Sequence, residues 1–241
     1  MTFTLSTGEV ICLIVPICDM FNHDPSASVS HYLAIDCNMS EEEGRYSKAH
    51  VGMLNTLAVE TGNEIFISYG NHHDNSNLLH HYGMALENNP AEFVEVWFEV
   101  ESVEKRRVLS DVGIEANQRP FKLTMSDPLP ADLVRCISVL AACDMEENDL
   151  ELLLAGSKDV VSGEHRLAMR ELLMNKLEDI MNEYPDNLAG SVEELETEKS
   201  FGSYSLFNAD SERYKYIMAL ITRVGELEIL EKARSLVEEM M

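Results

Sequence analysis

The feature that most constrains the fold is a change of hydrophobic period along the chain. Up to about residue 90 the apolar residues come in short β-type runs broken by Gly, Asn, Asp, Pro and Ser. Val10 to Val15 is one such run, closed by Pro16, and Tyr32 to Ile35 is another. Glu64 to Tyr69 alternates before a turn at Gly70, and Phe93 to Val100 alternates with Val94, Val96, Phe98 and Val100 on one face. From Pro130 onward the spacing becomes helical. Leu133, Ile137, Leu140 and Ala141 form one stripe, and Met169, Leu173, Leu177, Ile180 and Tyr184 form a second that Pro185 stops. Ser211 is placed to cap a last helix carrying Tyr214, Met218 and Ile221. Gly225 is expected to interrupt that helix before Leu227, Leu230, Ala233 and Val237 resume the stripe. Glu193 to Glu198 reads as a solvated acidic loop. The pattern predicts an α+β chain, a β-rich piece over 1–90 followed by a mostly helical domain over 91–241.

Charge narrows the partners. The 241 residues carry 18 Lys and Arg against 43 Asp and Glu, a formal net charge of −25. Nucleic acid and acidic membrane surfaces are poor partners for such a chain, because phosphate binding needs a basic stripe. A basic protein segment is the more natural one. No apolar run approaches a membrane span, and Met1 leads into Thr2-Phe3-Thr4 without a basic region. The five cysteines have no paired spacing and read as reduced thiols, so an intracellular location is expected.

Three segments carry the candidate chemistry. They are Pro16-Ile17-Cys18-Asp19-Met20-Phe21-Asn22-His23-Asp24, Gly62-Asn63-Glu64-Ile65-Phe66-Ile67-Ser68-Tyr69-Gly70, and Asp74-Asn75-Ser76-Asn77-Leu78-Leu79-His80-His81-Tyr82-Gly83-Met84. Each alone has an ordinary reading: a turn in which Asn tolerates left-handed angles, a strand end, a helix stopped by glycine. His72, His73, His80 and His81 suggest a metal, but they lack HExxH spacing and a Cys pair, so no metal site is expected. GxSxG, GxGxxG and P-loop patterns are missing as well.

Together, in this order and spacing, the three segments resemble the C-terminal half of a SET domain of the Rubisco large-subunit methyltransferase class. Two further features agree. No Cys lies between Cys37 and Cys136, where histone-type SET proteins carry a zinc-binding cluster, and the helical region resembles the substrate-binding domain of this class. The resemblance implies transfer of a methyl group from S-adenosylmethionine to a protein lysine. It implies that Tyr69 is the catalytic tyrosine, that Asn22, His23 and Tyr82 contact the cofactor, and that Asp19 and Tyr32 meet the incoming side chain. Asp74 stands where the class has serine, and Met84 where an aromatic residue is common. The glycine-containing strand pair that opens a SET domain has no counterpart here, so weak or no activity is expected of these 241 residues by themselves. A histidine acceptor, or a non-catalytic interaction module with a remnant SET region, are the alternative readings.

Overall fold

A computed structural model describes residues 2–4, 8, 10–12, 20–24, 27, 29–36, 48–55, 58–70, 72–142, 150, 153–154, 162–201 and 212–239. The fold is α+β, and its contacts divide the chain into two compact units, Met1–His72 and His73–Met241. No helix among the described residues is long and apolar enough to cross a membrane.

The first unit is built from short antiparallel pairs. β1 (Thr2–Thr4) pairs with β2 (Val10–Cys12), and β3 (Val29–Asp36) pairs with β4 (Lys48–Asn55) from Val29↔Asn55 to Asp36↔Lys48. β2 coincides with the start of the Val10 run, whose remainder lies outside the described residues, and β3 contains the Tyr32 run. Glu64 to Tyr69 is not a full strand. It is irregular chain joined to the Asn22-His23 segment by one parallel bridge, His23↔Ile67. The Ile67 N–H donates to the Asn22 carbonyl at 2.9 Å, and the Asp24 N–H donates to the Ile67 carbonyl at 3.1 Å.

The second unit is helical around one hairpin. α1 (Asn75–Tyr82) is followed by β5 (Phe93–Val96), α2 (Val103–Asp111), β6 (Phe121–Thr124), α3 (Ala131–Ala141), α4 (Gly163–Met181), α5 (Leu188–Ser200) and α6 (Glu212–Glu238). β5 and β6 pair antiparallel from Phe93↔Thr124 to Val96↔Phe121. The strand therefore stops four residues short of the alternating run, because β6 supplies partners only as far as Val96. Four helix starts use the local chemistry expected of them. The side chains of Asp74, Ser102, Ser162 and Asn187 accept from the N–H groups of Asn77, Lys105, His165 and Gly190.

The main core joins the hairpin to α2, α3, α4 and α6 through Val96, Leu123, Ile137, Leu173, Leu227 and Leu230, all at most 1% exposed. Truncating such a residue to Ala costs about 2–5 kcal/mol. A second cluster packs α1 and the following turn against α5 and α6 through Ala85, Leu195, Ile217, Met218 and Ile221.

Two expectations are corrected. Gly225 does not break the last helix, since α6 runs unbroken for 27 residues. Its buried face supplies the packing that outweighs the roughly 1 kcal/mol glycine cost. The acidic stretch Glu193–Glu198 is helical too, within α5. Cations offset its charge: Arg223 pairs with Glu194, Lys199 with Glu196 and Arg213 with Glu198.

Candidate active site

In the first unit the bridge brings His23 and Tyr69 together across 46 residues of sequence. His23 is buried. The Tyr69 N–H donates to its Nδ1 at 3.0 Å, which puts the proton of the neutral ring on Nε2. The Ile67 carbonyl, 3.4 Å from the same nitrogen, takes the Asp24 N–H instead. The two rings stack with centroids 5.0 Å apart and planes 22° apart. The Tyr69 hydroxyl donates to the Phe21 carbonyl at 2.7 Å. Tyr69 is thus held at its N–H, its ring face and its hydroxyl, each time by the segment 21–23.

Asn22 is part-exposed, and its Nδ2 donates to Glu64 Oε1 at 2.5 Å. The bridge uses the Asn22 carbonyl and the Asp24 N–H, so the peptide N–H and C=O of His23 point to the opposite edge of the segment. Asp19 lies outside the described residues. Tyr32 sits in β3 opposite Gly52, and its side chain lies outside the description.

Tyr82 belongs to the second unit, as the last residue of α1. Gly83 ends the helix in the left-handed region, φ 69°, with its N–H on the Leu78 and Leu79 carbonyls. Tyr82 is 46% exposed. His73 and His81 approach it edge-on at 6.1 and 6.4 Å.

Sequence reasoning missed the polar groups that hold these elements. Glu64 and the Phe21 carbonyl are two, and neither has a local signal, since each partner is more than 40 residues distant. Glu92 is another. It is only 4% exposed, although a glutamate before a strand ordinarily reads as a surface residue. The one available hint was Asn89-Pro90, a turn signal. Asn89 Oδ1 accepts from the Ala91 N–H at 3.1 Å, and that turn carries Glu92 inward.

The profile of the Rubisco LSMT substrate-binding family matches residues 103–230, and the chain belongs to that family. A search of curated proteins found no match. Among solved structures, a SET domain of LSMT bound to lysine and AdoHcy is similar with a TM-score of 0.67 and 17% identity, over 98% of this chain and 52% of that one. Rubisco LSMT bound to AdoMet is similar with a TM-score of 0.62 and 17% identity, over 98% of this chain and 51% of that one. Rubisco LSMT bound to sinefungin and monomethyllysine is similar at 0.61 and 17%, over 94% and 49%. The chain shares their fold and spans about half their length.

Proposed function

We propose that the protein is a S-adenosylmethionine-dependent protein-lysine methyltransferase, with residues 1–90 as the C-terminal part of the SET region and 91–241 as the substrate-binding domain. The observation that carries this reading is the fixing of Tyr69 by the Asn22-His23 segment through the 3.0 Å and 2.7 Å hydrogen bonds. Membership of the LSMT substrate-binding family and the shared fold support it.

The residues fit the cofactor chemically. By resemblance the Asn22-His23 segment holds the adenosine end of the cofactor, largely through backbone groups. The half-exposed Tyr82 ring suits a flat base or a sulfonium cation. S-adenosylmethionine, when bound, supplies an electrophilic methyl carbon on a positively charged sulfur.

The protein's part is to present a neutral amine in line with that carbon. A solvated lysine, with an ordinary pKa near 10.4, is almost wholly protonated at neutral pH. Enclosure beside an aromatic wall disfavours the ammonium and releases the lone pair. Tyr69 is assigned that wall and the aiming of the amine, and its three attachments to segment 21–23 keep its position from drifting. Alignment of this kind supplies much of the rate in a displacement reaction.

The test uses tritiated S-adenosylmethionine, a panel of lysine-bearing proteins and amino-acid analysis of the product. Methyllysine is expected only at a low rate from these 241 residues by themselves, and Tyr69→Phe should lower it about 100-fold or more while its far-UV spectrum is unchanged. Calorimetric titration of S-adenosylmethionine should show weak but saturable binding that His23→Ala and Tyr82→Ala each lower further. Methylhistidine as the product would move the acceptor to an imidazole. Full activity in Tyr69→Phe would remove Tyr69 from the chemistry.

A further inference from the structure

The start of α1 is held by a buried polar group that the proposed reaction leaves unused. Glu92 Oε2 accepts the Asn75 N–H, the first of the helix, at 3.1 Å. Asn75 is itself a hub. Its Nδ2 donates to the Leu86 carbonyl at 3.0 Å, and its Oδ1 accepts from the Leu86 N–H at 2.8 Å and from Asn89 Nδ2 at 3.1 Å. Asn89 Nδ2 also donates to the His73 carbonyl at 3.0 Å. Asn75, Asp74, Asn89 and Glu92 are all at least nine-tenths buried.

The hub is pressed against α6 at Gly225. A Cβ placed there would stand 3.5 Å from Glu92 Cγ and 3.9 Å from Asn75 Nδ2. Glu92 Oε1 is buried without a hydrogen-bond partner. The titratable groups that act on Glu92 are acidic: Asp74 at the cap of α1 and Glu226 on α6. Glu226 accepts the Tyr184 hydroxyl at 2.9 Å from the turn after α4, with Glu183 beside it. No cation among the described residues pairs with Glu92. The Asp74 carboxyl already occupies the end of the helix dipole, accepting from the Asn77 N–H. A second charge there gains little from the dipole and is repelled by Glu226 and Asp74.

We propose that Glu92 is a positioning residue for α1: uncharged, it holds the first peptide of the helix against α6, and its ionisation beside Asp74 and Glu226 loosens that end and with it the placing of Tyr82. Burial is the main influence on its protonation and pushes the carboxyl up to about 8. The Asn75 N–H opposes this, and Glu226 and Asp74 reinforce it. The link to Tyr82 rests on the methyltransferase reading, whereas the hold on α1 stands apart from it.

Amide hydrogen exchange of the 241-residue chain between pH 6.5 and 9.5, corrected for intrinsic rates, tests the hold. Protection of residues 75–82 should fall about tenfold from pH 7 to pH 9 in the wild type. In Glu92→Gln, which keeps the shape and cannot ionise, it should stay within twofold. In Glu226→Gln the fall should move to lower pH, since one repelling charge is gone. A flat wild-type profile, or an equal fall in Glu92→Gln, overturns the proposal. Should Glu92→Gln fail to fold, an unmoved midpoint in Glu226→Gln overturns it by itself. A parallel titration with S-adenosylmethionine separates the two readings. Affinity that drops above pH 8 in the wild type more than in Glu92→Gln supports the Tyr82 link. No cofactor binding at any pH, with the exchange signature intact, counts against a cofactor site within these 241 residues, overturns the Tyr82 link and leaves the hold of Glu92 standing.

Discussion

His165 shows how burial of one residue sets the acid sensitivity of the helical unit. It lies in the first turn of α4, buried, with Nε2 3.2 Å from the buried Ser138 hydroxyl of α3. Burial, helped by Lys105, holds its pKa below the ordinary imidazole value. Between the folded and unfolded values the unfolded chain binds more protons. This contribution to stability is therefore fully present above about pH 6.5 and is lost as pH falls below it. Glu92 and Glu226, whose carboxyls are raised by burial, act with the opposite sign and favour the folded state towards lower pH. The difference between wild type and His165→Gln isolates the imidazole. Denaturant melts at pH 5, 6 and 7 should show the wild type losing more stability on acidification than the variant. Equal slopes would mean that His165 titrates as it does in the unfolded chain. At this scale the candidate site was only partly legible. Tyr69 and His23 stood out by motif, but nothing near either residue announced that one would bond the other.

Two glycines of the helical unit make a contrast at the scale of the element. Gly83 ends α1 at φ 69°, a region that side chains rarely adopt, although a Cβ there would meet nothing within 4 Å. Gly225 lies inside α6, where a Cβ would make ordinary van der Waals contact with Glu92. Gly83→Ala should therefore lower stability by about 1 kcal/mol. Gly225→Ala should leave stability unchanged or raise it by up to about 1 kcal/mol, as helix propensity improves. Thermal melts of both variants check the pair, and a large loss in Gly225→Ala would show that Glu92 cannot yield. The Gly83 stop was readable because helix termination is a local event. The continuity of α6 through Gly225 was not, because it depends on residues packed on that helix from elsewhere in the chain.

The whole molecule carries a net charge of −25, and folding concentrates that charge. At 0.15 M salt the screening length is about 8 Å, against about 30 Å at 0.01 M. Raising sodium chloride across that range should raise the melting temperature. A fall would mean that pairs such as Lys199 with Glu87 and Arg223 with Glu194 outweigh the general repulsion. By itself the sequence determined the α+β class, the helical stripes and the family resemblance; the one cap it proposed, Ser211, lies outside the described residues. Each of these depends on residues within a few turns of one another or on motif spacing. Only the tertiary structure decided that Tyr69 is fastened to Phe21 and His23, that Glu92 is buried under α6, and that the acidic Glu193–Glu198 stretch is helical. In each, partners distant in sequence act beside the local ones, so packing and desolvation govern where local propensity does not decide.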